Sequence, residues 1–207
     1  MPRLFSIKPS LSIKGRKFKG IRGFAGKPFH PPLTDIPVAA YFLVAVFDII
    51  SFIAWKRNPD SNVARDFFVA GTYVIIAGAV VTVPTIITGF WDWLKSTPRR
   101  TQAWRTANWH MAVMLTMSMV VAADIMLRFA YWETGYEQGA DSTIMILSAI
   151  IGLLVTFGAL YGGTMVYEYA FNVEMDVDHA YTESTEDHYP GKNTPAEKKE
   201  SDGEPDI

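Results

Sequence analysis

Apolar positions fall into four long runs, over about 36–55, 67–90, 107–127 and 142–171, set off by short polar stretches and by polar ends. A helix needs roughly 20 apolar residues to cross hydrocarbon, so each run predicts one membrane-spanning helix. The chain therefore predicts an all-α, integral membrane four-helix bundle. His30-Pro31-Pro32 makes a rigid entry to the first span, with the prolines expected to keep the helix from starting until Thr34 or Asp35 caps it and Pro37 to lie in its first turn. Asn58-Pro59-Asp60 breaks the first polar turn. Pro84 is expected to kink the second span, with Thr82, Thr85 and Thr88 able to reach freed carbonyls. Gly71 and Gly78 mark a close-packing face there. The fourth run is longer than the hydrocarbon is thick and should tilt or project.

Charge adds orientation and domain limits. Residues 1–34 hold eight Lys or Arg and no acid, whereas 172–207 hold eleven acids and three bases. The expected organisation is a basic arm over 1–26, a membrane domain over 27–173 and an acidic, disordered tail over 174–207. With four spans both ends and the 91–106 loop share a side, and that side carries 15 of the 19 Lys and Arg. Short basic loops stay cytoplasmic, so the expectation is a bacterial plasma (inner) membrane protein with both termini cytoplasmic. The stretch from Thr88 to His110 also holds Trp91, Trp93, Trp104 and Trp109, which suits a membrane–water interface. The bilayer is the first partner; the basic arm, with Phe5, Phe18 and Phe24 interleaved, suits anionic headgroups rather than nucleic acid.

A shift of 76 residues superposes Asp48 on Asp124, Thr88 on Thr164, and Trp91-Asp92-Trp93 on Tyr167-Glu168-Tyr169. His30 and His110 nearly follow, 80 apart. Such a repeat predicts two helical hairpins of equal orientation about an axis along the membrane normal. His30, Asp92, His110 and Glu168 would then gather at the cytoplasmic end, and Asp48 and Asp124 at equal depth towards the other.

Lys27-Pro28-Phe29-His30-Pro31-Pro32-Leu33-Thr34-Asp35-Ile36-Pro37, Asp48, Thr88-Gly89-Phe90-Trp91-Asp92, His110 and Gly162-Gly163-Thr164-Met165-Val166-Tyr167 stand in order at span ends. Together they resemble a bacterial four-span membrane family, domain of unknown function 2231, over roughly 27–173. The resemblance implies a bacterial integral membrane protein and no particular activity.

Candidate chemistry is sparse. There is no cysteine, which excludes disulfides, thiolate metal sites, iron–sulfur ligation and c-type haem attachment. No phosphate-binding glycine loop or serine triad is present, so the sequence leans away from an enzyme. His30 and His110 come from different segments at one membrane edge and suit axial ligation of a b-type haem or another metal; alternatively each bonds a backbone group, Asp92 or Glu168. His110, Met111, Met114 and Met117 also admit a copper(I) reading, against gap-filling in a core. Carboxylates in hydrocarbon are functional candidates by default: Asp48 and Asp124 could share a proton or an ion, or Asp124 could pair with Arg128, one turn on. Gly158 and Gly162 form a GxxxG pair suited to another membrane protein or a second copy of the chain. The leading expectation is a non-catalytic accessory or assembly protein; the alternatives are a redox or metal-binding subunit using His30 and His110 and a proton- or ion-coupled carrier using Asp48 and Asp124.

Overall fold

A computed structural model of the protein describes residues 20–21, 28–133, 138–171 and 173. Four helices follow one another: α1 His30–Arg57, α2 Asn62–Ser96, α3 Gln102–Glu133 and α4 Ser142–Tyr167. All four are long and apolar enough to cross a membrane, as the four runs predict. The basic arm up to residue 19 and the acidic tail beyond 173 lie outside the described residues.

The helix ends differ from expectation in instructive ways. α1 starts at His30 and runs through Pro31 and Pro32, which occupy its first turn. The amides of a first turn have no intrahelical partner, so losing two of them costs little. Thr34 does not cap; its hydroxyl donates to the Pro31 carbonyl at 2.6 Å. The early start leaves Pro37 inside the helix, where its missing N–H deprives the Leu33 carbonyl of a partner. Thr85 Oγ1 of α2 lies 3.4 Å from that carbonyl. Around Pro84, Thr82, Thr85 and Thr88 donate to the carbonyls of Gly78, Val81 and Pro84, rather than to Val80, the carbonyl that Pro84 frees. The longest helix is α2, with 35 residues against 26 in α4. At about 1.5 Å per residue α2 measures about 52 Å, well beyond the hydrocarbon core. Ser61 and Asp141 cap α2 and α4, accepting from the amides of Ala64 and Ile144.

Each helix packs on two neighbours and not on its diagonal: α1 on α2 and α4, α3 on α4 and α2. A Cβ on Gly78 would stand 2.9 Å from that of Ala40 in α1, so the α1–α2 contact needs glycine there. Gly158 meets α3 in the same manner, since a Cβ there would overlap Met114 Sδ. The GxxxG face expected to receive another protein or a second copy is therefore taken up by α3 of the same chain.

The 76-residue shift carries the core. It takes Tyr41 to Met117, Ala64 to Ala140, Phe68 to Ile144 and Ile75 to Ile151, and all eight are buried. Tyr41, Ile75, Met117 and Ile151, with Val44, Val121 and Val155, make the central apolar cluster. Two similar hairpins thus bury equivalent positions against each other. Ser51, fully buried, ties the ends of both together: its hydroxyl donates to the Ala64 carbonyl at 2.6 Å and accepts from the Ala140 amide at 2.9 Å.

Candidate functional site

Two polar constellations interrupt the apolar interior, one towards each end of the bundle. The first centres on Arg128 of α3. Its Nε donates to Asp124 Oδ1 at 2.8 Å, its Nη1 to Thr72 Oγ1 at 2.9 Å, and its Nη2 to Asp48 Oδ2. Ser148 Oγ touches Asp48 Oδ2 and lies 3.3 Å from Asp124 Oδ2. The guanidinium carbon sits 5.3 Å from the Phe68 ring centroid. All four helices contribute, and both carboxylates are 0% exposed. Of the two readings of the aspartates, the pairing of Asp124 with Arg128 is present, and Asp48 pairs with the same guanidinium. Sequence reasoning missed Thr72 and Ser148, although they are 76 apart and the repeat that aligns the aspartates aligns them too.

The second constellation is the histidine pair. His30 Nδ1 lies 3.0 Å from the Thr85 carbonyl of α2, and His110 Nδ1 lies 2.9 Å from the Gly158 carbonyl of α4. A carbonyl only accepts, so each ring carries its proton on Nδ1 and keeps a free lone pair on Nε2. Among the described residues neither Nε2 has a hydrogen-bond partner. Four residues beyond each accepting carbonyl stands a glycine, Gly89 or Gly162, against which the ring lies. A Cβ on Gly89 would come within 2.6 Å of His30 Cε1 and one on Gly162 within 3.6 Å of His110 Cε1. The same local device is thus made twice, on diagonal helices. His30 is 18 residues from Asp48 and His110 only 14 from Asp124. Because one guanidinium holds both aspartates at one level, His30 lies about 6 Å, one turn, further out along the axis.

The other expected members of this end do not join it. Asp92 is buried, with Oδ1 accepting from the Ile21 amide at 3.2 Å and Oδ2 unpartnered. Glu168 is exposed at the end of α4. Neither is a hydrogen-bond partner of a histidine; both rings use backbone carbonyls. The methionines of α3 act as filling rather than as a thioether set: Met117 is in the core, Met114 abuts Gly158, and Met119 and Met126 face outward. Among the described residues no three His, Cys, Asp or Glu side chains group as a metal site. Trp93 Nε1 donates to Asn108 Oδ1 at 2.8 Å, closing α2 on α3 near the loop.

Four long apolar helices around an interior of paired charges define a polytopic membrane bundle. The family model described as "Predicted membrane protein (DUF2231)" matches residues 26–175, and the chain belongs to that family. Neither the curated proteins nor the solved structures contain a match to the chain.

Proposed function

We propose that the protein is a redox subunit of the membrane that carries a b-type haem between His30 and His110. The observation that supports this most is the duplicated histidine device. Imidazoles that ligate metals donate their other N–H to a carbonyl or carboxylate, which fixes the tautomer and aims the ring. Both histidines have that arrangement already, on opposite helices and at one end of the bundle. Two imidazoles are too few for a structural zinc site, which needs four ligands. They suit haem, whose porphyrin supplies the other four and whose iron passes single electrons. Without cysteine such a haem is held non-covalently. A one-electron carrier works by contact with other membrane redox proteins, so an accessory role follows from this assignment. The carrier alternative loses support because Arg128 holds both Asp48 and Asp124.

The test is the absorption spectrum of protein produced with ample haem. The expected result is a red protein with a Soret band. His30→Ala or His110→Ala should abolish or strongly alter that band, and His179→Ala or His188→Ala should leave it unchanged. A colourless wild type would refute the haem assignment and leave an accessory role without a cofactor.

A further inference from the structure

The charges around Arg128 do not balance. Two carboxylates face one guanidinium, and the remaining groups packed against them are neutral: Phe68 and Thr72 from α2 and Ser148 from α4. Towards the same end of the bundle Tyr131 and Asp141 bond each other at 2.6 Å. Asp141 adds negative charge rather than removing it. A net negative charge sealed inside a bundle surrounded by lipid is costly unless it is paired or neutralised.

The two carboxylates are not equivalent. Asp124 has both oxygens partnered: Oδ1 by Arg128 Nε at 2.8 Å, Oδ2 by Arg128 Nη2 at 3.5 Å and Ser148 at 3.3 Å. Asp48 directs only Oδ2 at the cluster, towards both Arg128 Nη2 and Ser148 Oγ, while its Oδ1 is buried with no partner among the described residues. That oxygen lies 3.0 Å from where a Cβ of Gly71 would sit, so it is packed against α2 with no room for a metal cation. The close approach of Asp48 Oδ2 and Ser148 Oγ requires a hydrogen between them. Ser148 has one hydrogen, and its hydroxyl also stands 2.8 Å from the Ile144 carbonyl in donating geometry. A proton on Asp48 supplies the second hydrogen: Asp48 donates to Ser148 Oγ and Ser148 donates to Ile144, while the longer 3.3 Å approach of Ser148 to Asp124 Oδ2 goes without one.

We propose that Asp48 is a buried proton-binding site: it holds one proton on the oxygen facing Ser148, leaving Asp124 as the ionised partner of Arg128 and the cluster electrically neutral. The bound ligand is a proton, taken up as the bundle forms and shielded by four helices. It is distinct from the histidine site, about 27 Å along α1 from His30 at about 1.5 Å per residue, and does not depend on haem.

Infrared spectroscopy of the full chain in lipid at neutral pH tests this directly. The expected result is a carbonyl stretch of an un-ionised carboxylic acid, above the amide band, that moves in heavy water and disappears in Asp48→Asn. Its absence in the wild type, or its persistence in Asp48→Asn, overturns the proposal. Thermal unfolding supplies a second readout, because asparagine has the shape of the neutral acid. Asp48→Asn should fold and melt within about 4 °C of wild type, and Asp124→Asn, which strips Arg128 of its charge partner, should melt far lower. An Asp48→Asn protein that fails to fold, or that loses as much as Asp124→Asn, also overturns it.

Discussion

Gly89→Ala and Gly162→Ala are the same chemical change at matched positions, yet the geometry gives them opposite signs. Alanine at 89 places a Cβ 2.6 Å from His30 Cε1 and 2.9 Å from Nδ1, so the ring must retreat by about 0.8 Å to reach ordinary contact at 3.4 Å. That movement draws Nδ1 off the Thr85 carbonyl, now 3.0 Å away. Overpacking of this kind costs about 1–3 kcal/mol, and a weakened hydrogen bond adds about 0.5–1.5 kcal/mol. Removing a helix-interior glycine returns only about 0.5–1 kcal/mol. At 162 the new Cβ is 3.6 Å from His110 Cε1 and 3.8 Å from Nδ1, an ordinary contact, so the helix gain stands alone. The two variants should therefore differ by about 2 kcal/mol or more, or roughly 4–8 °C in Tm at about 2–4 °C per kcal/mol. Thermal unfolding of both proteins in one detergent, followed by tryptophan fluorescence, measures the difference. Equal melting temperatures, or a less stable Gly162→Ala, would refute the account of how the rings are seated.

Arg128→Met should lose about 3–5 kcal/mol, because it strands the buried Asp124 carboxylate, and adding Asp124→Asn should recover much of the loss; accumulation in the membrane and thermal unfolding read both effects. If the basic asymmetry sets orientation, Ser61→Cys and Gln138→Cys should label from outside intact cells and Thr101→Cys should not. Labelling at Thr101→Cys alone would reverse the topology.

What the sequence made legible follows from the strength of each signal. The four helices could be read because membrane spans must be long, apolar and internally hydrogen-bonded, and nothing in the chain competes with that pattern. Asp48 and Asp124 stood out for the same reason, as charges in hydrocarbon. Their shared partner did not, because Arg128 sits at the end of the third apolar run and reads equally well as an interfacial residue. Only the packed bundle brings Asp48 of α1 to it. Thr72 and Ser148 were invisible for a different reason: small hydroxyls are common in membrane helices and satisfy themselves on the preceding turn, as both do here on Phe68 and Ile144. The start of α1 was misplaced because prolines forbid helix interiors but not first turns. Glu168 was grouped with the histidines on repeat symmetry alone, and the symmetry fails at that end: its counterpart Asp92 is buried and Glu168 is not.

That failure of symmetry has a physical pattern. In the half of the bundle around Arg128 the repeat pairs Asp48 with Asp124, Thr72 with Ser148 and Ala64 with Ala140. It does not pair Ser51, whose counterpart is Leu127, or Arg128, whose counterpart is Phe52, lying 5.6 Å under the Lys56 ammonium near the end of α1. Arg128 alone reaches both aspartates, so a single cation joins the two hairpins. The charge left over is what a proton on Asp48 neutralises. In the other half the register slips by a turn, the acids part company, and what survives is the histidine, the carbonyl and the glycine four residues on. A duplicated fold keeps its symmetry where packing demands it. The histidine device outlasts the packing symmetry around it, which is the pattern expected when a ligand shared by both rings, rather than the core, constrains those positions.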